Sequence, residues 1–204
     1  YKRMKHNVFA GFNVVCVGDE KNYSYLPSRN GETISDQVAK HVLKWTSKKY
    51  KVYNWLQRGS DERQYCSPGI DLPIASIMRS KYGEYPEYHT SLDDLTNVVT
   101  PSGLEGGYTA IKKAIEVFEK NCFPKTTTLG EPYLSKKGFY PTLSIKNSSN
   151  NMRLLLNIIS YSDGKTSLLD IAKKIDVSIW SLYPIIEFLL KNKLIITKDK
   201  PFKK

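Results

Sequence analysis

The sequence is poor in the residues that build disulfide frameworks and dense metal clusters. Three cysteines, Cys16, Cys66 and Cys122, and three histidines are spread through 204 residues. An odd number of widely spaced cysteines excludes a disulfide scaffold, and without C-x2-C pairs there is no zinc ribbon. Free thiols suit a reducing compartment, so the expected setting is the cytoplasm. No apolar run approaches the ~20 residues needed to cross a bilayer. The opening YKRMKHNVF is basic with no apolar run behind it, unlike a secretory signal. It also lacks an initiator methionine, and Met4 makes a poor one. The expectation is therefore a portion of a longer protein.

What is present is ordinary globular composition, 40% hydrophobic and 25% charged, with a formal net charge of +11. That composition excludes disorder. Residues 1–150 carry 21 basic and 15 acidic side chains, and residues 151–204 carry 10 and 5. The C-terminal part is thus the more basic. This balance permits nucleic-acid contact without requiring it.

Residues 8–17 are apolar and β-branched and end at Gly18, which reads as a buried strand followed at once by Asp19. Residues 20–32 read as a loop. Ile34, Val38, Val42 and Trp45 share one face of a helix spanning Thr33 to Lys49, capped by Thr33 or Ser35. Strands are expected at Tyr50–Leu56 and Leu72–Met78, with a polar loop, Arg58 to Glu62, after the first. An aromatic loop, Lys81 to His89, follows the second. Ser91–Val99 reads as a short helix. Ser102–Phe123 reads as a long one, with Tyr108, Ile111, Ala114, Ile115 and Phe118 inward. Alternating strands and helices imply an α/β sheet with helices on both faces. Residues 1–123 form this part. Residues 124–151, with three prolines and a polar tract, read as a linker with an ordered start.

Residues 152–204 give three helices, at Met152–Tyr161, Ser167–Ile175 and Ser178–Asn192, then a strand at Leu194–Thr197. This is the pattern of a winged helix-turn-helix. Its presumed recognition helix, Ser178 to Glu187, offers few groups that read base edges. A protein-interaction or intramolecular role is therefore preferred over DNA binding. Lys173, Lys174, Lys191 and Lys193 keep nucleic acid as the alternative.

His89 is the most informative histidine. It lies in a loop after a strand, where a neutral imidazole can ligate zinc or simply form loop hydrogen bonds. The residues around it carry a resemblance. Tyr88, His89 and Thr90, followed by Asp93, resemble the last metal-ligand motif of the co-catalytic zinc aminopeptidases. Gly59 to Tyr65, then Pro68 to Pro73, resemble that superfamily's Ser-Asp loop and the strand after it. With Cys16 to Asp19, Ser28-Arg29 and the stretch from Gly130 to Pro141, nearly the whole chain resembles a bacterial aminopeptidase-like family with a C-terminal winged helix.

The resemblance implies a zinc-peptidase fold and a hydrolase acting on a peptide or aminoacyl amide bond. It implies zinc as cofactor, His89 as one ligand and Asp19 as a second, although Cys16 aligns as an alternative to Asp19. Asp61, Glu62, Arg63 and Tyr88 become the substrate-binding residues, Arg63 through a carboxylate or phosphate. Tyr82, Tyr85 and Tyr88 would wall the pocket or simply pack together as an aromatic loop. For Asp61 to Arg63 the plainer alternative is a solvated loop. The family's earlier motifs, including the general base, do not occur in this sequence. The chain alone should therefore be inert, as the C-terminal part of the enzyme. Peptide or aminoacyl substrates are the expected partners. No membrane association is expected, and oligomerisation stays open.

Overall fold

The structure, a computed structural model, describes residues 2–134 and 146–198. It falls into two compact units, Tyr1–Glu116 and Val117–Lys204. No helix among the described residues is long and apolar enough to cross a membrane.

The first unit opens with α1, Lys2–Asn7, and is built on a mixed four-stranded sheet. Its strands are β1, Gly11–Asn13; β2, Ser24–Leu26; β3, Lys51–Val52; and β4, Ile74–Met78, in the order β1-β4-β2-β3. β1 runs parallel to β4, with Gly11 opposite Ile74 and Asn13 opposite Ser76. β2 runs antiparallel to β4 and parallel to β3. All five residues of β4 are buried, four of them apolar, as befits a central strand.

α2, Ile34–Thr46, starts with a capping box. Thr33 Oγ1 accepts from the Asp36 amide and the Asp36 carboxylate accepts from the Thr33 amide. The same buried carboxylate accepts from Tyr25 Oη at 2.7 Å and from Ser28 N and Oγ at 2.8 and 2.5 Å. Helix start and preceding loop are thereby tied to β2.

Several expectations are corrected. The strand expected over residues 8–17 is only Gly11–Asn13. Cys16 takes a positive φ of 49°, and its carbonyl accepts from Arg79 N at 2.8 Å, so the extended ladder stops. β2 lies inside the stretch read as a loop, because Pro27, Asn30 and Gly31 mask three buried residues. The strand expected to Leu56 ends at Val52 and gives way to a 3-10 turn, Trp55–Gln57, capped by Asn54. Residues 91–99 form turns, not a helix. There the Asp94 carboxylate accepts from the amides of Thr96 and Asn97, both at 2.8 Å, which competes with helical bonding.

α4, Pro101–Lys120, is long as expected but rotated. Tyr108 and Ile115 are 65% and 52% exposed, while Gly103, Gly107, Ala110 and Ala114 are buried. A Cβ at Gly103 would stand 2.0 Å from the Gly18 carbonyl oxygen, and one at Gly107 2.4 Å from that of Val17. Glycine is what lets the helix lie this close to the segment leading into Asp19.

The second unit contains α5, Lys146–Tyr161; α6, Leu168–Lys174; and α7, Ile179–Lys191. An antiparallel pair joins β5, Phe123–Thr126, to β6, Ile195–Lys198. β5 therefore occupies the first residues of the segment read as a linker. Residues 135–145, within that same stretch, lie outside the described residues. Ile158, Leu168, Leu169, Ile171, Ile179, Leu182 and Leu189 are fully buried and form the core of this winged helix. Ser167 caps α6 by accepting from the Asp170 amide.

Candidate functional site

Three segments of the first unit converge around the loop that runs from β4 to His89. β4 ends in Arg79, Ser80 and Lys81, each at most 7% exposed. Asp19, 4% exposed, holds the base of this loop. Its Oδ2 accepts from Ser80 N at 2.7 Å, and its Oδ1 accepts from Ser80 Oγ at 2.8 Å and Lys21 N at 2.9 Å. Lys21 in turn reaches Glu87 at 3.3 Å.

On another side, Glu62 fastens the loop before α3, Glu62–Tyr65. Glu62 is fully buried. Its Oε1 accepts from Tyr82 Oη at 2.5 Å, Gly59 N at 2.8 Å and Ser60 N at 3.0 Å, and its Oε2 accepts from Asn13 Nδ2 at 2.8 Å. Burial pushes this carboxyl up, but the hydrogen bonds from Tyr82, Ser60 and Gly59 outweigh it and hold the group below the usual range. Burial, then the neighbouring Glu62, raise the Tyr82 phenol in turn.

Aromatic packing carries the chain from there to His89. Tyr82 belongs to a core cluster with Leu26, Tyr53 and Met78, against which Tyr88 packs. Tyr85 meets Tyr88 edge-on at 5.6 Å, and the His89 ring stacks on Tyr88 at 4.1 Å and 16°. His89 has a φ of 58°, a conformation that costs a non-glycine residue free energy and is held here by the packed loop. Its ring is exposed, and neither nitrogen is hydrogen-bonded among the described residues.

The residues singled out in the sequence thus fall into two groups. His89, Asp61 and Arg63 are exposed, and the Asp61 and Arg63 side chains have no partner among the described residues. Tyr88 is half-buried beneath the His89 ring. Glu62 and Asp19 are buried and engaged. Asn13 and Arg79 were not singled out. The signal for Arg79 was present, as a polar run directly after an apolar strand. Asn13 had none, because it sits inside a short apolar segment.

All three thiols are free. Cys66 is fully buried, and burial pushes Cys122 up to about 11. Both features suit unreactive thiols.

A zinc ligand set can be tested against these donors. His89 fits, as an accessible imidazole with its nitrogens unengaged. Asp19 fits poorly, because its two oxygens already accept three hydrogen bonds. Among the described residues no group of three or more His, Cys, Asp or Glu side chains could hold a metal ion. This chain by itself therefore offers at most part of a coordination sphere.

Residues 1–121 match the family described as a domain of unknown function, DUF4910, and residues 122–197 match the winged helix-turn-helix family HTH_47. The chain belongs to the DUF4910 family. It is 35% identical over 170 residues to a Clostridium acetobutylicum protein named as a candidate polysaccharide biosynthesis protein with an aminopeptidase-like domain. That match covers 82% of this chain and 39% of the relative. The crystal structure of a candidate peptidase from Clostridium acetobutylicum superposes with a TM-score of 0.85 at 30% identity, over 97% of this chain and 44% of that one. The DUF4910 chain described here therefore spans about two-fifths of the length of the relatives it matches. Relatives so named support a peptidase-like family, and this chain carries a winged helix after its DUF4910 part.

Proposed function

We propose that this chain forms one wall of the active site of an aminopeptidase-like zinc hydrolase that cleaves a peptide or aminoacyl amide bond. The observation that carries the reading is His89. It is an accessible imidazole, free of hydrogen bonds among the described residues, at the tip of a tyrosine-packed loop in a peptidase-like chain. In this reading His89 supplies one zinc ligand, and the remaining ligands and the general base come from the rest of a longer protein. Zinc, when bound, polarises the scissile carbonyl and makes a strong nucleophile of water at neutral pH.

The residues of this chain have separable tasks. The Tyr88 ring sets the plane of the His89 imidazole. Asp19 fixes Ser80 and so the base of the loop, and it acts by position, not by coordination. Glu62 holds Gly59 and Ser60 in place, which presents Asp61 and Arg63 outward. Asp61 then takes the substrate's amino group, and Arg63 pairs with a carboxylate or phosphate.

The test is hydrolysis of aminoacyl and peptide amides by the full-length natural protein, before and after chelation. Turnover that disappears on chelation and returns with zinc is the expected result. Turnover indifferent to chelator, or none with any amide, would overturn the reading.

A further inference from the structure

Arg79 stands where β4 ends, at the root of the loop that carries His89. It is 6% exposed. Burying a guanidinium is costly unless an anion or a full set of acceptors meets it. Here its Nε donates to the Asp19 carbonyl oxygen at 2.6 Å, and its plane lies over the Tyr23 ring, 3.9 Å from the centroid. No carboxylate pairs with it among the described residues. The two Nη atoms have no acceptor among them either, yet they are not sealed from solvent as the buried unpaired atoms elsewhere are. The fork is thus desolvated on its flanks, fixed at Nε and Tyr23, and unpaired at Nη1 and Nη2 among the described residues.

α4 packs against this end of the fork. At Gly106 a Cβ would stand 2.8 Å from Tyr23 Oη and 2.9 Å from Arg79 Nη1. The absence of that Cβ keeps both donors beside bare helix backbone. Arg63 differs: it is exposed on its loop, so water competes for its charge.

We propose that Arg79, with Tyr23 Oη, is a recognition site for a ligand carboxylate, held end-on by Nη1 and Nη2. A planar carboxylate matches two parallel N–H donors. The site stands without the hydrolase reading. Where that reading holds, the ligand is a peptide or aminoacyl substrate with a free carboxylate.

The experiment compares the dipeptide Ala-Ala with its C-terminal amide, by calorimetric titration of the chelator-treated full-length natural protein and of its His89→Ala variant. Using both proteins separates carboxylate binding from the metal chemistry. The free acid is expected to bind at least about tenfold more tightly than the amide in both. Arg79→Gln should abolish that difference, and Gly106→Ala should reduce it by displacing the fork. Should Arg79→Gln fail to fold, Gly106→Ala and Arg63→Gln decide: discrimination reduced by the first and kept in the second supports Arg79, and the reverse overturns it. Equal binding of acid and amide would overturn the proposal, as would discrimination that survives Arg79→Gln but is lost in Arg63→Gln. Inorganic phosphate that displaces the dipeptide at concentrations below the dipeptide's own Kd would overturn the carboxylate assignment.

Discussion

Glu62 gathers four donors around one fully buried carboxylate, and no cation pairs with it among the described residues. Removing the carboxylate strands the amides of Gly59 and Ser60, the Tyr82 hydroxyl and the Asn13 amide. Glu62→Ala is therefore expected to cost about 3 kcal/mol or more in chemical denaturation. Glu62→Gln should cost less, since an amide oxygen still accepts from three of the four. The pH dependence has a definite sign. The folded carboxyl titrates below its ordinary value of about 4.3, so its contribution is full above that value and is lost as pH falls through the folded value. Glu62→Gln should flatten the acid limb of the stability curve between those limits; an unchanged limb would contradict the network. The sequence placed Glu62 in a polar loop, and the resemblance left it to orient the site or to bind a substrate's amino group. Nothing in a loop without periodicity announces which of Asp61, Glu62 and Arg63 turns inward, because Tyr82, twenty residues on, makes that choice.

At the scale of elements, α4 shows how far periodicity reaches. Its length and helical character were legible. Its inward face was legible only in part: Ala114 is buried as expected, but hydrophobicity favours Tyr108 and Ile115 while close backbone packing favours Gly103 and Gly107. Gly103→Ala would drive a Cβ into the Gly18 carbonyl and should destabilise by about 2 kcal/mol. Tyr108→Ala, on the exposed face, should change stability by only about 0.5 kcal/mol. Thermal melts of the two variants check the ordering, and its reversal would restore the face that the periodicity suggested. α2 is the contrasting case. Thr33 or Ser35 as cap and the apolar spacing were enough to place it; the cap is Thr33, and Thr33→Ala should cost about 1 kcal/mol. β2 was hidden because three residues are too few for a period, and its partners lie far along the chain.

For the whole molecule, the α/β unit and the winged helix could be read from the sequence, and the likeness to an aminopeptidase-like family came from short motifs around His89. The complete site could not, since no metal-binding group of three donors lies among the described residues. The winged helix makes its own prediction. The exposed positions of α7 include Ser181, Pro184, Glu187 and Lys191, a poor set for reading base edges. Duplex DNA should therefore show no binding that steepens at low salt, and a strong salt slope would return the module to nucleic-acid recognition. The central claim is that His89 ligates zinc. Its most direct measurement is the zinc content of the purified, dialysed full-length natural protein beside its His89→Ala variant. Stoichiometric zinc in the first and a clear loss in the second, with folding unchanged, is the predicted result. Equal zinc in both, or none in the natural protein, would contradict it.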